Sequence, residues 1–86
     1  MIQELIYQIS DYFCNLYEVA WRWEPAIEDN EEILRRVSEI LPRIDAGIAE
    51  KVSRFFETIN SIFSNNRGEA VDVRDQMIDE LKKFVD

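Results

Sequence analysis

The sequence predicts an all-α fold, a small antiparallel up-and-down bundle of four helices in a single domain covering residues 1–86. Apolar residues recur at spacings of three and four along most of the chain, which is the period of an amphipathic helix. Only two glycines and two prolines occur among the 86 residues, so the chain has few of the breaks that separate short strands. Hydrophobic residues make up 47% of the chain and aromatic residues 12%, a composition that supports a folded core.

Helix 1 is predicted from Ile2 to Trp23, and it ends there because Pro25 lacks an amide proton and disfavours helical angles at Glu24. One face carries the predicted core residues Ile2, Leu5, Ile6, Ile9, Phe13, Leu16, Ala20 and Trp23. Beside it runs a second line of residues, the aromatic stripe, which consists of Tyr7, Cys14, Tyr17 and Trp21. The apolar residues of helix 1 cover roughly 240° of its circumference, whereas packing on one side needs about 100° or somewhat more. The stripe is therefore either covered by the other three helices or used in binding.

Helix 2 is predicted from about Asn30 to Leu41, because Asp29 followed three residues later by Glu32 resembles a capping box. Residues 24–29 before it form either a loop or a first helical turn opened by Pro25. Its inward residues are predicted to be Ile33, Leu34, Val37, Ile40 and Leu41. Its outer face offers two ion pairs at four-residue spacing, Glu31 with Arg35 and Glu32 with Arg36.

Pro42 leaves two topologies open. Either helix 2 ends at Pro42 and Asp45 caps helix 3, or the helix only kinks, since the apolar phase continues without a lapse from Ile33 to Ile62. The kinked version is a three-helix protein whose second helix has about 34 residues and reaches roughly 50 Å. We favour the break, because such a helix is long for a domain of this size.

Helix 3 is predicted over about Asp45 to Ser64. Its buried residues are predicted to be Ile48, Val52, Phe55, Phe56, Ile59, Ile62 and Phe63. Helix 3 should end at Asn65, Asn66 and Gly68, which are residue types that tolerate left-handed backbone angles. Helix 4 then spans about Ala70 to Val85. Its inner side is predicted to carry Val71, Met77, Ile78, Leu81, Phe84 and Val85.

The net charge of −8 is concentrated in the first part of the chain. Residues 1–34 hold eight acidic side chains and one arginine, a net charge of −7, whereas residues 35–86 hold ten acidic and nine basic side chains, a net charge of −1. This asymmetry argues against direct binding to nucleic acid or to an anionic membrane surface. It favours a neutral or basic protein partner.

Several kinds of chemistry lack their usual residues. The chain has no histidine, the commonest general acid or base and zinc ligand, and its two glycines, Gly47 and Gly68, form no phosphate-binding loop. The single cysteine, Cys14, cannot form an internal disulfide and suits a reducing compartment. No signal peptide is apparent, and the uncharged stretches 5–10 and 12–17 are too short to span a bilayer. We expect a cytoplasmic protein without a cofactor.

Asp72, Asp75 and Asp79 are the best candidates for catalysis. Their spacing places the three carboxylates on one side of helix 4, where they could bind magnesium. A magnesium-dependent helical hydrolase would need a second acidic cluster, which Glu28 to Glu32 could supply. The alternative is a structural role, since acidic side chains near the start of a helix interact favourably with the helix dipole. We expect a protein without enzymatic activity.

Glu4, Asp11 and Glu18 recur every seventh residue on the polar edge of helix 1, about 10 Å apart. Such a row could mimic a phosphate backbone, so an acidic nucleic-acid-mimicking inhibitor is an alternative function. An antitoxin- or immunity-type protein is another alternative, because small acidic helical bundles recur among such proteins. Duplex DNA carries one charge per about 1.7 Å, a much denser spacing. A solvated edge is the simpler interpretation.

The sequence therefore predicts a non-enzymatic protein–protein interaction module that self-associates, as a homodimer, or binds a basic protein through helix 1. Tyrosine and tryptophan are typical of interfaces, and acidic groups would steer a basic partner towards them. The residues predicted to bind the partner are Tyr7, Cys14, Tyr17, Glu18, Trp21, Glu28 and Glu31. In an antiparallel two-fold pairing through helix 1, Cys14 would lie near the symmetry axis.

Overall fold

The structure, a computed structural model, describes residues 1–21 and 24–85 and confirms the four-helix bundle. The helices are α1 (Ile2–Val19), α2 (Glu24–Ile40), α3 (Ala46–Asn65) and α4 (Arg67–Lys82). A short 3₁₀ turn, Leu41–Arg43, links α2 to α3. The described residues contain no strand, and the bundle measures 36 × 25 × 19 Å.

Helix α1 is the central element, because it packs against both α2 and α4, and α4 in turn packs against α3. Every helix contributes to one buried core, whose members are Leu5, Ile6, Ile9, Tyr12, Phe13, Leu16, Ile33, Val37, Val52, Phe55, Ile59, Phe63, Ala70, Met77 and Leu81. The predicted core of helix 1 is largely confirmed. The prediction that Ala20 is buried is wrong, since this residue lies exposed at the C-terminal end of α1. Trp23 lies outside the described residues.

Helix α1 also buries residues that were not predicted to face inward. Tyr12 is fully buried and its ring meets the edge of Phe56, with ring centroids 4.9 Å apart. Gln8 and Asn15 are buried one heptad apart, and the Asn15 side-chain amide donates to the backbone carbonyl of Ala26, 2.5 Å away. The buried arc of α1 therefore extends on the side away from the aromatic stripe, towards α2 at Asn15 and α3 at Tyr12.

Helix α2 begins at Glu24, so the capping box predicted at Asp29 is wrong. Pro25 lies in the first turn of α2, where backbone N–H groups have no acceptor within the helix, so the missing N–H of proline costs no hydrogen bond. The fixed φ of proline also suits a helix. Ile33 and Val37 are buried as predicted. The other predicted inward residues, Leu34, Ile40 and Leu41, are only half-buried.

Pro42 ends the second helix, which confirms the break and excludes the three-helix alternative. Pro42 lies in the 3₁₀ turn, and Ile44 beyond it is extended, with φ −115° and ψ 173°. The carboxylate of Asp45 then accepts from the backbone N–H groups of Gly47 (3.0 Å) and Ile48 (3.3 Å). Asp45 is thus the N-cap of α3, because it satisfies two of the amides that every helix start leaves unpaired.

The junction between α3 and α4 is shorter than predicted. Asn66 alone separates the two helices, with extended angles of φ −155° and ψ 101°, and its side chain accepts from the N–H of Glu69 at 3.1 Å. The predicted end of helix 3 at Asn65 and Asn66 is confirmed, but Asn66 is extended rather than left-handed, and Gly68 lies inside the first turn of α4. Helix α4 starts at Arg67 and ends at Lys82. Phe84 lies beyond this end and its ring is exposed, so the prediction that Phe84 faces inward is also wrong.

Candidate interaction surface on helix α1

The aromatic stripe lies on the outside of the bundle. Trp21 has 86% of its surface exposed, Tyr7 60% and Tyr17 39%, and Cys14 between them is exposed as well. The packing of α2 and α4 against the two sides of α1 explains this exposure, because these helices leave the outward ridge of α1 uncovered. Within the described residues, the stripe is thus not part of the core.

Tyr17 differs from the other members because its ring also packs within the chain. Its ring meets Phe13 and Phe63 edge-to-face, with centroid separations of 5.9 and 4.9 Å. Phe13 and Phe63 are themselves buried and stack edge-to-face at 5.8 Å. Tyr17 therefore joins the exposed stripe to the core, whereas Tyr7 and Trp21 project from it.

On the side of the stripe that faces α2, acidic residues line a groove of about 340 Å³ between α1 and α2. The groove is lined by Asp11, Cys14, Asn15, Glu18, Asp29, Glu32, Ile33 and Arg36. Its lining includes four carboxylates and one arginine, so the potential in the groove is negative. The stripe residue Cys14 forms part of this lining, which makes the groove and the stripe one continuous surface.

On the other side of the stripe, α4 supplies arginines that lie over aromatic rings. The Arg67 guanidinium carbon lies 5.5 Å from the ring centre of Tyr17 and 5.0 Å from that of Phe63. Arg74 lies 4.5 Å from the ring centre of Phe13 and pairs with Asp75 at 2.9 Å. These cation–π contacts hold positive charge beside the stripe. The stripe therefore separates an acidic edge from a basic edge.

The structure brings together only some of the predicted partner-binding residues. Tyr7, Cys14, Tyr17, Glu18 and Trp21 share the outer side of α1. Glu28 and Glu31 are exposed on α2 but do not line the groove, whose α2 side is formed by Asp29 and Glu32 instead. Asp29 and Glu32 are three residues apart and lie on one side of the buried Ile33, and this spacing could have identified them once α2 was known to begin at Glu24.

Glu32 is held in its charged form by neighbouring arginines. It accepts hydrogen bonds from Arg35, and Arg36 approaches it at 3.4 Å. The hydrogen bond from Arg35 lowers the pKa of the Glu32 carboxyl below its ordinary value, and the same contact raises the pKa of Arg35. The predicted pair of Glu32 with Arg36 is confirmed, but Arg35 pairs with Glu32 and with Glu39 (2.6 Å) rather than with Glu31.

The carboxylates considered for catalysis are not arranged around a common point. Asp72, Asp75 and Asp79 are exposed on α4, and Asp75 is engaged with Arg74. Helix α1 packs between α2 and α4, so the acids of α2 do not complete a site with them. Among residues 1–21 and 24–85, no three histidine, cysteine or acidic side chains are grouped closely enough to hold a metal ion. These aspartates also lie beyond the first turn of α4, where Glu69 is the acid nearest the helix start.

Comparisons with models of known protein families, with curated proteins and with solved structures give no match to this chain. Within the described ranges, none of the helices is both long enough and apolar enough to cross a membrane. A shared fold would not by itself assign a function.

Proposed function

We propose that this chain is a non-enzymatic protein–protein interaction module that binds its partner through the aromatic stripe of α1. The observation that carries the proposal is the exposure of Trp21 (86%) and Tyr7 (60%) on a ridge that no other described helix covers. Large aromatic side chains bury much area at little cost in rotamer entropy, and they dominate the energy of protein interfaces.

The charges beside the stripe support a protein partner with basic groups. Asp11, Glu18, Asp29 and Glu32 line the groove next to Cys14, and such a cluster accelerates encounter with positive charge. In this proposal the aromatic side chains supply the affinity, and the carboxylates supply the association rate and the orientation. The partner is a second copy of the chain, whose α4 edge carries arginines, or another protein with a basic surface.

The test compares Trp21→Ala with Phe84→Ala, an exposed aromatic residue outside the stripe. We expect Trp21→Ala to weaken association by about 2 kcal/mol or more, roughly a 30-fold rise in Kd. Phe84→Ala should leave Kd unchanged. Sedimentation velocity over a range of concentrations measures self-association, and calorimetric titration with a basic partner measures binding to a second protein.

Thermal unfolding of the same variants at low protein concentration distinguishes an interface from a core. Trp21 makes few contacts within the chain, since 86% of its surface is exposed, so its removal should change Tm little. A Trp21→Ala variant that unfolds at a lower temperature but associates like the wild type would contradict the proposal. Equal weakening by Phe84→Ala would show that the stripe has no special role.

A further inference from the structure

We propose that the partner of the aromatic stripe is a second copy of this chain, paired so that the two α1 helices run parallel about a two-fold axis along their length. This inference rests on the proposed function and specifies its partner. It is carried by two features of the described residues, the spacing of the residues along the outer ridge of α1 and the opposite charge of the two edges beside that ridge.

The outer ridge of α1 has the spacing of a coiled-coil seam. Its residues are Gln3, Tyr7, Ser10, Cys14, Tyr17 and Trp21, which alternate spacings of four and three. This alternation brings every member of the set to one narrow strip of the helix. The backbone stays close to helical at Ala20, with φ −61° and ψ −23°, and the N–H of Trp21 donates to the carbonyl of Glu18 at 3.1 Å. Trp21 therefore continues the strip beyond the last helical residue, Val19.

The two edges of the ridge carry opposite charges at matching heights. Glu18 follows Tyr17 in the sequence, and Arg67 lies over the Tyr17 ring on the opposite edge. Asp11 lies half a turn before Phe13, and Arg74, which is already paired with Asp75 at 2.9 Å, lies over the Phe13 ring. Arg67 takes part in no ion pair among residues 1–21 and 24–85. Its charge is available to a partner.

The position of the charges selects the parallel arrangement. A two-fold axis along α1 brings the acidic edge of each copy opposite the basic edge of the other, so that Glu18 faces Arg67 of the second copy. An antiparallel pairing would place the two acidic edges side by side and the two arginine edges side by side. Like charges placed opposite one another disfavour an interface. The charges therefore disfavour the antiparallel pairing that was considered from the sequence.

Disulfide trapping of the full chain tests the orientation. In a Cys14→Ser background, Gln3→Cys places a thiol at the N-terminal end of the ridge, where only a parallel pair brings two such thiols together. Diamide takes up the two thiol hydrogens and electrons as the disulfide forms, and non-reducing electrophoresis detects the linked dimer. The matched control is Ser61→Cys in the same background, because Ser61 is exposed on α3, away from the ridge.

We expect the Gln3→Cys chain to form a linked dimer rapidly and the Ser61→Cys chain to remain mostly unlinked. The wild-type chain should cross-link through Cys14. Cross-linking through Cys14 without cross-linking through Gln3→Cys would overturn the parallel arrangement. Equal cross-linking of the control would show random collision and would overturn it as well.

A charge exchange tests the facing pairs. Glu18→Arg alone and Arg67→Glu alone should each raise the dimer Kd by about tenfold or more, and the double variant should restore it, because the opposite charges again face each other. Glu57→Arg, at an exposed position of α3, should leave Kd unchanged. Circular dichroism verifies that each variant remains helical. A double variant as weak as the single ones would overturn the pairing.

Failure of this inference can be distinguished from failure of the proposed function. A wild-type chain that remains monomeric at millimolar concentration, measured by light scattering, overturns the homodimer. A synthetic amphipathic helix of leucine and lysine then serves as the probe of the stripe. Binding of this peptide that Trp21→Ala abolishes and Phe84→Ala preserves would retain the interaction module with a basic protein as its partner.

Discussion

At the scale of single residues, the stripe combines two kinds of aromatic side chain. Tyr17 packs edge-to-face with Phe13 and Phe63 and lies under the Arg67 guanidinium. Tyr7 is 60% exposed and has no aromatic neighbour among the described residues. We therefore expect a substitution at Tyr17 to change both the folding stability and the proposed association, and one at Tyr7 to change the proposed association alone.

We expect Tyr17→Ala to lower the free energy of unfolding by about 1–3 kcal/mol, since it removes two aromatic contacts and part of a cation–π contact. Tyr7→Ala should change it by less than about 0.5 kcal/mol. Urea unfolding at a concentration where the chain is monomeric measures both values. Equal destabilisation by the two variants would mean that Tyr7 also packs within the chain.

Asn15 is the residue that ties α1 to the start of α2. It is buried, and its amide donates to the carbonyl of Ala26, which is itself buried. Asn15→Ala leaves this carbonyl without its partner, and we expect a loss of about 1–3 kcal/mol in unfolding free energy. Gln3→Ala, a change at an exposed polar residue of the same helix, serves as the control at a concentration where the chain is monomeric. A loss no greater than that of the control would show that water replaces the Asn15 amide at no cost.

At the scale of helices, the boundaries depend on side-chain caps. Asp45 caps α3 through the N–H groups of Gly47 and Ile48, and Asn66 caps α4 through that of Glu69. Because Asn66 also follows the last residue of α3 directly, it defines where one helix ends and the next begins. The sequence predicted the cap at Asp45 because it follows Pro42, but it did not predict the cap at Asn66.

We expect Asp45→Ala and Asn66→Ala each to lower the unfolding free energy by about 0.5–2 kcal/mol, because each leaves helix-start amides unpaired. Asn65→Ala is the matched control for Asn66, since Asn65 is exposed in the last turn of α3 and caps no helix start. Chemical unfolding followed by circular dichroism measures the differences. If Asn65→Ala lowers the unfolding free energy as much as Asn66→Ala does, the loss at Asn66 is not due to the helix cap.

The sequence predicts some helix boundaries better than others, depending on the residues at the helix ends. Helix α3 was predicted to within a residue or so at each end, since Asp45 gives a clear start signal. The starts of α2 and α4 were predicted too late, because Asp29 and Gly68 resembled boundary residues. Pro25 and Asn66 lie at the true starts of α2 and α4. They are equally good start signals, because proline is favoured in the first turn of a helix and asparagine is favoured as an N-cap. Local signals of similar strength thus compete, and packing against α1 and α3 decides between them.

At the scale of the whole molecule, charge and packing are arranged around α1. Residues 1–34 carry a net charge of −7, and because α2 packs beside α1, four of their acids, Asp11, Glu18, Asp29 and Glu32, line the groove on one side of the stripe. Arg67 and Arg74 reach the other side from a segment distant in sequence. The molecule therefore presents the aromatic stripe between two edges of opposite charge, an arrangement suited to a self-complementary partner.

The sequence by itself determined the four helices, the break at Pro42 and most of the core, because apolar spacing, proline and caps act locally. It also identified the aromatic stripe, since the apolar arc of helix 1 exceeds what one packed face requires. Only the tertiary structure decided that the stripe lies exposed, because this depends on which sides of α1 the helices α2 and α4 occupy. The same packing placed Asp29 and Glu32 on one edge and Arg67 on the other. No local pattern encodes such distances between helices remote in sequence, and so the stripe's two charged edges appear only in the folded chain.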